Sequence, residues 1–188
     1  PQSAAGTPMR SDLPSPGASP RRDAASSGGT GARADEALAR AVERALEERG
    51  LTAAIALLNA RTRFRYTGVY RAEPPELYNL CLHDRENPSL NVSGEVHPIE
   101  ATYCSIVCAT GQPFETPDAL NDPRLRGHAA LDTVLSYAGV PLRRPSGVPW
   151  GVLCHWDPRP RLLSSSESES LALVAPLIAR WAIAHYGD

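Results

Sequence analysis

The stretch from residue 134 to residue 159 constrains the fold most, because it contains two long apolar segments joined by a tight turn. The first segment, Val134–Arg144, sets large apolar residues among small ones, and the second, Trp150–Trp156, is aromatic and aliphatic. The Pro-Ser-Gly-Val-Pro sequence between them combines the fixed φ of proline with the positive φ that glycine tolerates. Strands that are apolar throughout are typical of the interior of a sheet. We therefore predict an interior β-hairpin here.

Helices are predicted at both ends of the chain. Apolar residues recur at helical spacing over 35–48 and again over 52–60, with Gly50 between the two segments. A third helix begins after Ser164, which has Glu167 at the spacing of a capping box. The first helix carries a narrow, alanine-rich stripe. Such a stripe favours packing against another helix, including one from a second subunit.

Between these helices the pattern changes to that of strands. Alternating segments over 63–71 and 77–83 flank the sequence Glu-Pro-Pro-Glu, which predicts a second antiparallel hairpin. Hairpins in succession with helices at both ends predict an α+β fold, with a mostly antiparallel sheet and terminal helices on one face. The other predicted elements are a loop over 84–98, a short helix over 99–110, a short strand over 114–118 and a loop over 120–132.

The N-terminal residues have a different composition from the rest. Residues 1–33 contain 16 proline, glycine and serine residues and almost no large apolar side chain. Such a segment buries too little apolar surface to offset its conformational entropy. We predict a disordered tail over 1–33 and one folded domain over 34–188.

The charged residues exclude several classes of function. All 19 basic residues are arginine, so chemistry through a lysine Schiff base and a phosphate loop ending in Gly-Lys-Ser/Thr are both excluded. Residues 34–188 contain 15 basic and 19 acidic residues, an acidic balance that argues against a nucleic-acid partner. No apolar run has the length of a membrane helix, and the first residues lack the apolar centre of a secretory signal. A cytoplasmic protein without a membrane partner is the expectation.

The cysteines do not form a recognisable metal site. Cys154 and His155 are adjacent on a predicted strand, so their side chains should point to opposite faces. Neither a Cys-x-x-Cys motif nor a second matching pair completes a tetrahedral set, and we predict no metal ligand. Buried, reduced thiols are the expectation for the four cysteines, which are Cys81, Cys104, Cys108 and Cys154.

Five stretches together resemble the GAF domain, a module that senses small ligands in many bacterial signalling proteins. They are Thr102-Tyr-Cys-Ser-Ile-Val, Pro113-Phe-Glu-Thr-Pro-Asp-Ala, Asp122-Pro-Arg, and Ser136-Tyr-Ala-Gly-Val-Pro-Leu followed by Pro149-Trp-Gly-Val-Leu-Cys-His. The resemblance implies a five- or six-stranded, mostly antiparallel sheet. It also implies that terminal helices pack on one face and that a cap encloses a ligand pocket on the other.

The resemblance places this pocket between the sheet, the helix around Tyr103 and the segment 116–128. Its ligand is unknown, and so is any cofactor. The sequence contains neither a Gly-x-Ser-x-Gly elbow nor a His-Glu-x-x-His motif, and we predict no catalytic residue. The candidate ligand-binding residues are Tyr78, Arg85, Tyr103, Cys104, Thr116, Asp118, Arg124, His128 and Tyr137.

The function that this sequence predicts is a non-catalytic sensory domain. It would bind a small molecule and relay the signal through its terminal helices to a signalling partner protein, as a homodimer formed by those helices. Two alternatives stay open. One is a dimerisation or interaction module without a ligand. The other is a thiol-based reductase of free methionine sulfoxide, in which Cys104 at a helix start would have a lowered pKa.

Overall fold

Six antiparallel strands form one sheet in the computed structural model, which describes residues 27–90 and 92–187. The predicted mostly antiparallel sheet is confirmed, with six strands. In chain order they are β1 (Tyr66–Glu73), β2 (Glu76–Asp84), β3 (Val96–Pro98), β4 (Phe114–Thr116), β5 (Ser136–Arg143) and β6 (Pro149–Asp157), and in space they follow the order β3-β2-β1-β6-β5-β4.

Four α-helices accompany the sheet, namely α1 (Ser27–Arg49), α2 (Leu51–Asn59), α3 (Cys104–Thr110) and α4 (Ser165–Tyr186). Gly50 separates the first two because it adopts a positive φ of 81°. Ser164 and Glu167 form the predicted capping box at the start of α4. Within the described residues, no helix combines the length and the apolar character that a membrane crossing requires.

The two faces of the sheet are covered by different elements. Helices α1, α2 and α4 pack together on one face, which we name the helix face, and this confirms the shared face predicted for the terminal helices. Helix α3 packs on the opposite face against β5 and β6, and we name this the pocket face. The domain is therefore an α+β sandwich with a buried layer on each side of the sheet.

The hydrophobic hairpin lies inside the sheet, as predicted. Strand β6 pairs with β5 on one side and with β1 on the other, and nearly every residue of both hairpin strands is buried. Successive side chains of a strand point to opposite faces of the sheet. Leu153 therefore packs among the helices, while Cys154 belongs to the hydrophobic cluster on the pocket face. Alternation over 63–71 predicts Phe64 and Tyr70 on the same face of the sheet. This is wrong, because Phe64 precedes β1 and packs on the helix face, whereas Tyr70 belongs to the pocket face.

The N-terminal helix begins earlier than the sequence predicts. Its first residue is Ser27 instead of Asp35. The apolar stripe used for the prediction starts only at Leu38, since residues 31–37 are exposed and contribute no core contact. Residues 1–26 of the predicted tail lie outside the described residues.

Two further differences concern the middle of the chain. Strand β3 lies within the predicted loop 84–98, and its three residues pair with the start of β2 through tertiary contact that a local pattern does not encode. The predicted helix over 99–110 is divided, because Thr102 is extended between a short 3₁₀ turn and α3. The Thr102 hydroxyl donates to the carbonyl of Ile99 at 2.8 Å, a local bond that competes with a continuous helix.

Candidate functional site

A row of three residues across neighbouring strands forms the floor of the site. Gly68 of β1 and Gly139 of β5 both lie opposite Cys154 of β6 in the strand register. Cross-strand partners share a face of the sheet, so the thiol of Cys154 stands between two positions without side chains. The backbone register thus creates a shallow depression on the pocket face.

Two tyrosines cover these glycines. A Cβ atom at Gly68 would lie 2.6 Å from the ring of Tyr70, and one at Gly139 would lie 2.2 Å from the hydroxyl of Tyr137. Each phenol therefore lies flat on the sheet over the glycine two residues away on its own strand. Burial raises the pKa of both Tyr70 and Tyr137 well above the usual range, so both hydroxyls remain protonated.

Helix α3 and the residue before it form the roof. The Sγ atom of Cys104 lies 3.4 Å from the hydroxyl of Tyr137, within hydrogen-bonding reach. The hydroxyl of Tyr103 donates to the carbonyl of Val134 at 3.1 Å, and its ring meets that of Tyr137 edge-on with centroids 5.6 Å apart. These contacts tie the roof to the floor at one end of the site.

The two thiols of the site differ electrostatically. A hydrogen bond from Cys154 lowers the pKa of Cys104, while burial raises the pKa of Cys154 well above its ordinary value. Burial also raises the pKa of Cys108, on the next turn of α3, to about 12. Cys104 is consequently the most acidic thiol of the three.

The roof and floor enclose a cavity of about 230 Å³. Phenol, thiol and indole groups dominate its inner wall, while the more exposed Pro98, Ala101 and Thr133 lie around its mouth. Its lining residues are Tyr70, Leu77, His97, Pro98, Ala101, Thr102, Tyr103, Cys104, Ala130, Thr133, Val134, Tyr137, Cys154 and Trp156.

Three of the predicted ligand-binding residues, Tyr103, Cys104 and Tyr137, line this cavity. The sequence reasoning did not assign Tyr70 or Cys154 to the site. A Gly-x-Tyr pattern on β1 and a Tyr-x-Gly pattern on β5 could have identified the two covered glycines. Cys154 could then have been found only from the strand register.

Four more predicted residues lie near the roof but outside the cavity lining. Thr116 is buried opposite Tyr137 in the β4–β5 ladder. Asp118 accepts a hydrogen bond from Asn121 at 2.7 Å. Arg124 binds the carboxylate of Asp122. His128 lies against Tyr103 with ring centroids 4.8 Å apart, and its Nδ1 accepts from the backbone of Ala130.

The Asp122–Arg124 pair has a local role in this segment. Hydrogen bonds from Arg124 lower the pKa of Asp122 to about 2, so this carboxylate is ionised at neutral pH. The guanidinium also donates to the carbonyl of Glu115 at 2.7 Å and lies over the ring of Phe114 at 4.7 Å. In this geometry both charges are occupied in joining β4 to the loop that follows it.

The last two predicted residues, Tyr78 and Arg85, are placed away from the cavity. Leu77 lines the pocket, so the next residue, Tyr78, points to the other face, where Arg71 lies over its ring at 5.2 Å. The guanidinium of Arg85 donates to the carbonyls of Asn59 and Thr62 and thereby joins β2 to the end of α2.

The prediction that Cys154 and His155 face opposite ways is confirmed. Cys154 lines the cavity, whereas the Nδ1 atom of His155 lies 2.7 Å from the hydroxyl of Thr67, and its ring stacks on Phe64. All four cysteines are free thiols. Among the described residues, no group of three or more His, Cys, Asp and Glu side chains is arranged to hold a metal ion.

A larger cavity of about 720 Å³ lies elsewhere, between α4 and β5. Apolar residues such as Val140, Pro141 and Ile183 form its floor, and Arg143 and Arg180 lie at its margin. It is a groove along a helix, and the guanidinium groups of Arg143 and Arg180 already donate to the carbonyl of Gly147 and to the carboxylate of Glu43. We therefore regard the smaller cavity as the candidate ligand site and the groove as a surface.

Comparison with known proteins identifies the family. The model of the GAF domain family matches residues 33–180, and the chain belongs to this family. The predicted resemblance is thereby confirmed. No curated protein sequence matches the chain.

Solved structures share the fold at low sequence identity. A GAF domain from an Acinetobacter phosphoenolpyruvate-protein phosphotransferase has a TM-score of 0.63 at 13% identity, covering 81% of this chain and 94% of that one. Free methionine-R-sulfoxide reductase from Neisseria meningitidis has a TM-score of 0.61 at 17% identity, covering 80% and 89%. The phycocyanobilin-bound GAF domain of a cyanobacterial phytochrome has a TM-score of 0.58 at 16% identity, covering 81% and 97%.

These neighbours include a reductase and domains of a phosphotransferase and a phytochrome. At such low identities they establish the fold and leave the ligand and the activity of this chain open.

Proposed function

We propose that this chain is a non-catalytic sensory domain that binds a small molecule on the pocket face. The observation that carries the proposal is the 230 Å³ cavity, whose aromatic walls and few polar groups are typical of a ligand site. A module serving only as an interaction surface would have no need for such a cavity between Tyr103 and Tyr137. Membership of the GAF family adds support, because the family includes sensory proteins.

A route for the signal runs through the central strand. Cys154 contacts the cavity, while its neighbours Leu153 and His155 belong to the layer under the helices. A ligand that prefers one arrangement of β6 would therefore shift the packing of the helices above it. In this proposal the terminal helices pass the change to a second copy of the chain and to a signalling partner.

Two observations favour the alternatives. The apolar groove beside α4 would suit an interaction module, because unpartnered apolar surface marks contacts with other proteins. The thiols of Cys104 and Cys154 in the cavity, together with the fold of the reductase neighbours, would suit thiol chemistry. If the chain is a reductase, the wild-type protein will reduce free methionine sulfoxide and Cys104→Ser will not.

Thermal denaturation with a panel of small molecules tests the sensory proposal. The panel should include nucleotides, amino acids, oxyanions and uncharged aromatic compounds. A compound at 100 times its Kd should stabilise the wild type by about 2.7 kcal/mol. Gly139→Ala should abolish the shift, because its Cβ would push the Tyr137 ring toward the cavity.

The matched control is Gly31→Ala in α1, where an added Cβ meets no atom within 4 Å. This variant should respond to the compound as the wild type does. The proposal is contradicted if no compound in the panel stabilises the wild type, or if the response of Gly139→Ala equals that of the control.

A further inference from the structure

Among the described residues, no Asp, Glu or Arg side chain lines the cavity on the pocket face. Nearby charges are engaged elsewhere, as in the pair formed by Asp122 and Arg124. His97, the one imidazole in the lining, lies toward the mouth and is 3.6 Å from Glu95. A charged ligand would therefore lose its hydration without gaining a counterion, which is costly in an apolar site.

Two backbone donors in the roof are already engaged. At the start of α3, the amide of Ser105 donates to Thr102 and the amide of Ile106 donates to Tyr103. The helix has only seven residues, so its dipole offers little to an anion. Burial keeps the phenols neutral and raises the pKa of Tyr103 to about 12. The site accordingly presents no fixed positive charge.

The size of the cavity limits the ligand further. Drug-sized ligands occupy pockets of about 300–1,000 Å³, and apolar cavities of about 150 Å³ accept benzene. The 230 Å³ found here lies between these values. The rings of Tyr103, Tyr137 and Trp156 in the wall favour an aromatic occupant, since aromatic groups pack well edge-to-face and in offset stacks.

The polar groups of the cavity can orient one neutral hydrogen-bonding group. The hydroxyl of Tyr137 shares a contact with Cys104 and has both a proton and lone pairs to offer. The hydroxyl of Thr102 already donates to Ile99, so its oxygen is left as an acceptor. Asn79, the neighbour of Tyr70 in the β1–β2 ladder, lies outside the cavity lining, and no described residue hydrogen-bonds to its Nδ2 or Oδ1.

We propose that the ligand class of this site is an uncharged aromatic molecule of one or two rings that carries one hydroxyl or N–H group. Phenol and indole are the simplest members. This inference rests on the proposed sensory function and narrows it. It predicts that anionic compounds such as cyclic nucleotides are not the ligands of this cavity.

Calorimetric titration of the full chain with matched probes tests the proposal. Phenol and indole should bind, while benzoate and indole-3-carboxylate, which add a carboxylate to the same rings, should bind at least tenfold more weakly. Tyr137→Phe should weaken phenol binding by about tenfold, the effect of one hydrogen bond. Tyr78→Phe, on the helix face, should leave the affinity unchanged. Gly139→Ala should abolish binding.

Two results would overturn the inference. One is equal or tighter binding of the carboxylates than of their uncharged counterparts. The other is phenol affinity that Gly139→Ala does not alter, because the probe would then occupy another place. If a charged compound of the panel binds and loses its effect in Gly139→Ala, while phenol and indole do not bind, the sensory proposal stands and this inference fails. If no compound binds at all, both fail.

Discussion

The two faces of the sheet are covered by side chains of different kinds. On the helix face, aliphatic residues pack tightly, and some of the buried polar groups bond to one another. There the amide of Asn59 donates to Thr67 at 2.8 Å, and Thr67 contacts His155 at 2.7 Å. On the pocket face, phenols and thiols surround a cavity, and the buried amide of Asn79 has no partner among the described residues.

In the proposed function, the helix face provides stability and the pocket face provides recognition, although both belong to the same sheet. In the part of the chain that the structure describes, unpartnered buried polar atoms occur on both faces, among them Asn79 Nδ2 on the pocket face and Ser168 Oγ in α4. The difference between the faces therefore lies in the enclosed cavity and not in hydrogen-bond satisfaction. The interior of the helix face is closed by aliphatic side chains. The pocket face has a lower packing density because it encloses a cavity of about 230 Å³.

The largest expected contrast comes from truncating neighbouring residues of β6. Leu153→Ala should lower the free energy of unfolding by about 2–5 kcal/mol, because it opens a hole in a closed core. Cys154→Ala should cost about 1 kcal/mol, since the lost atom borders an existing cavity. Denaturant unfolding measures both. Leu153→Ala removes three heavy atoms and Cys154→Ala removes one. A loss of about 2 kcal/mol or more from Cys154→Ala would therefore show that the pocket face is packed at least as tightly as the helix face.

A smaller effect is expected when the pH is lowered, because the free energy of unfolding depends on the protonation of His155 on the helix face. Burial lowers the pKa of His155 to about 3, with the nearby charge of Arg85 acting in the same direction. The unfolded chain binds this proton near pH 6.5, so stability is complete above that pH and falls as the pH drops towards 3. Between pH 6.5 and 5 the loss should approach about 1.4 kcal/mol per pH unit.

The control is His155→Asn, which keeps a hydrogen-bonding atom near the position of Nδ1. It should be less stable at neutral pH but should show a much shallower slope from pH 6.5 to 5. The lowered pKa values of His83 and His128 leave a small residual slope. An unchanged slope in the variant would assign the pH dependence to those residues and refute the role of His155.

The sequence predicts the fold better than the site. The apolar pattern of the sequence and its turn residues locate the two hairpins, because residues that face a hydrophobic core are apolar. The same logic fails for β3, whose three residues are held by β2 and carry no pattern of their own. It also misplaces the start of α1, because the exposed residues 31–37 show no apolar stripe.

The cavity depends on register, which the local pattern does not specify. Tyr137 and Tyr103 were predicted for the site, and both line it. The meeting of Gly68, Cys154 and Gly139 in one row requires the pairing of three strands that are distant in sequence. Tyr78 and Arg85 were predicted to bind the ligand but lie away from the cavity, for the same reason. The pairing of β1 with β2 contains a bulge between Val69 and Tyr70, which helps to determine the face on which each β2 side chain lies.

The central claim is that ligand recognition belongs to the pocket face, and NMR mapping tests it most directly. Backbone amide shifts should be recorded while the most stabilising compound of the panel is added. The account predicts the largest changes at residues 97–104 and 130–137 and at Cys154, all around the 230 Å³ cavity. The largest changes along α4 and at Arg143, which border the 720 Å³ groove, would contradict it.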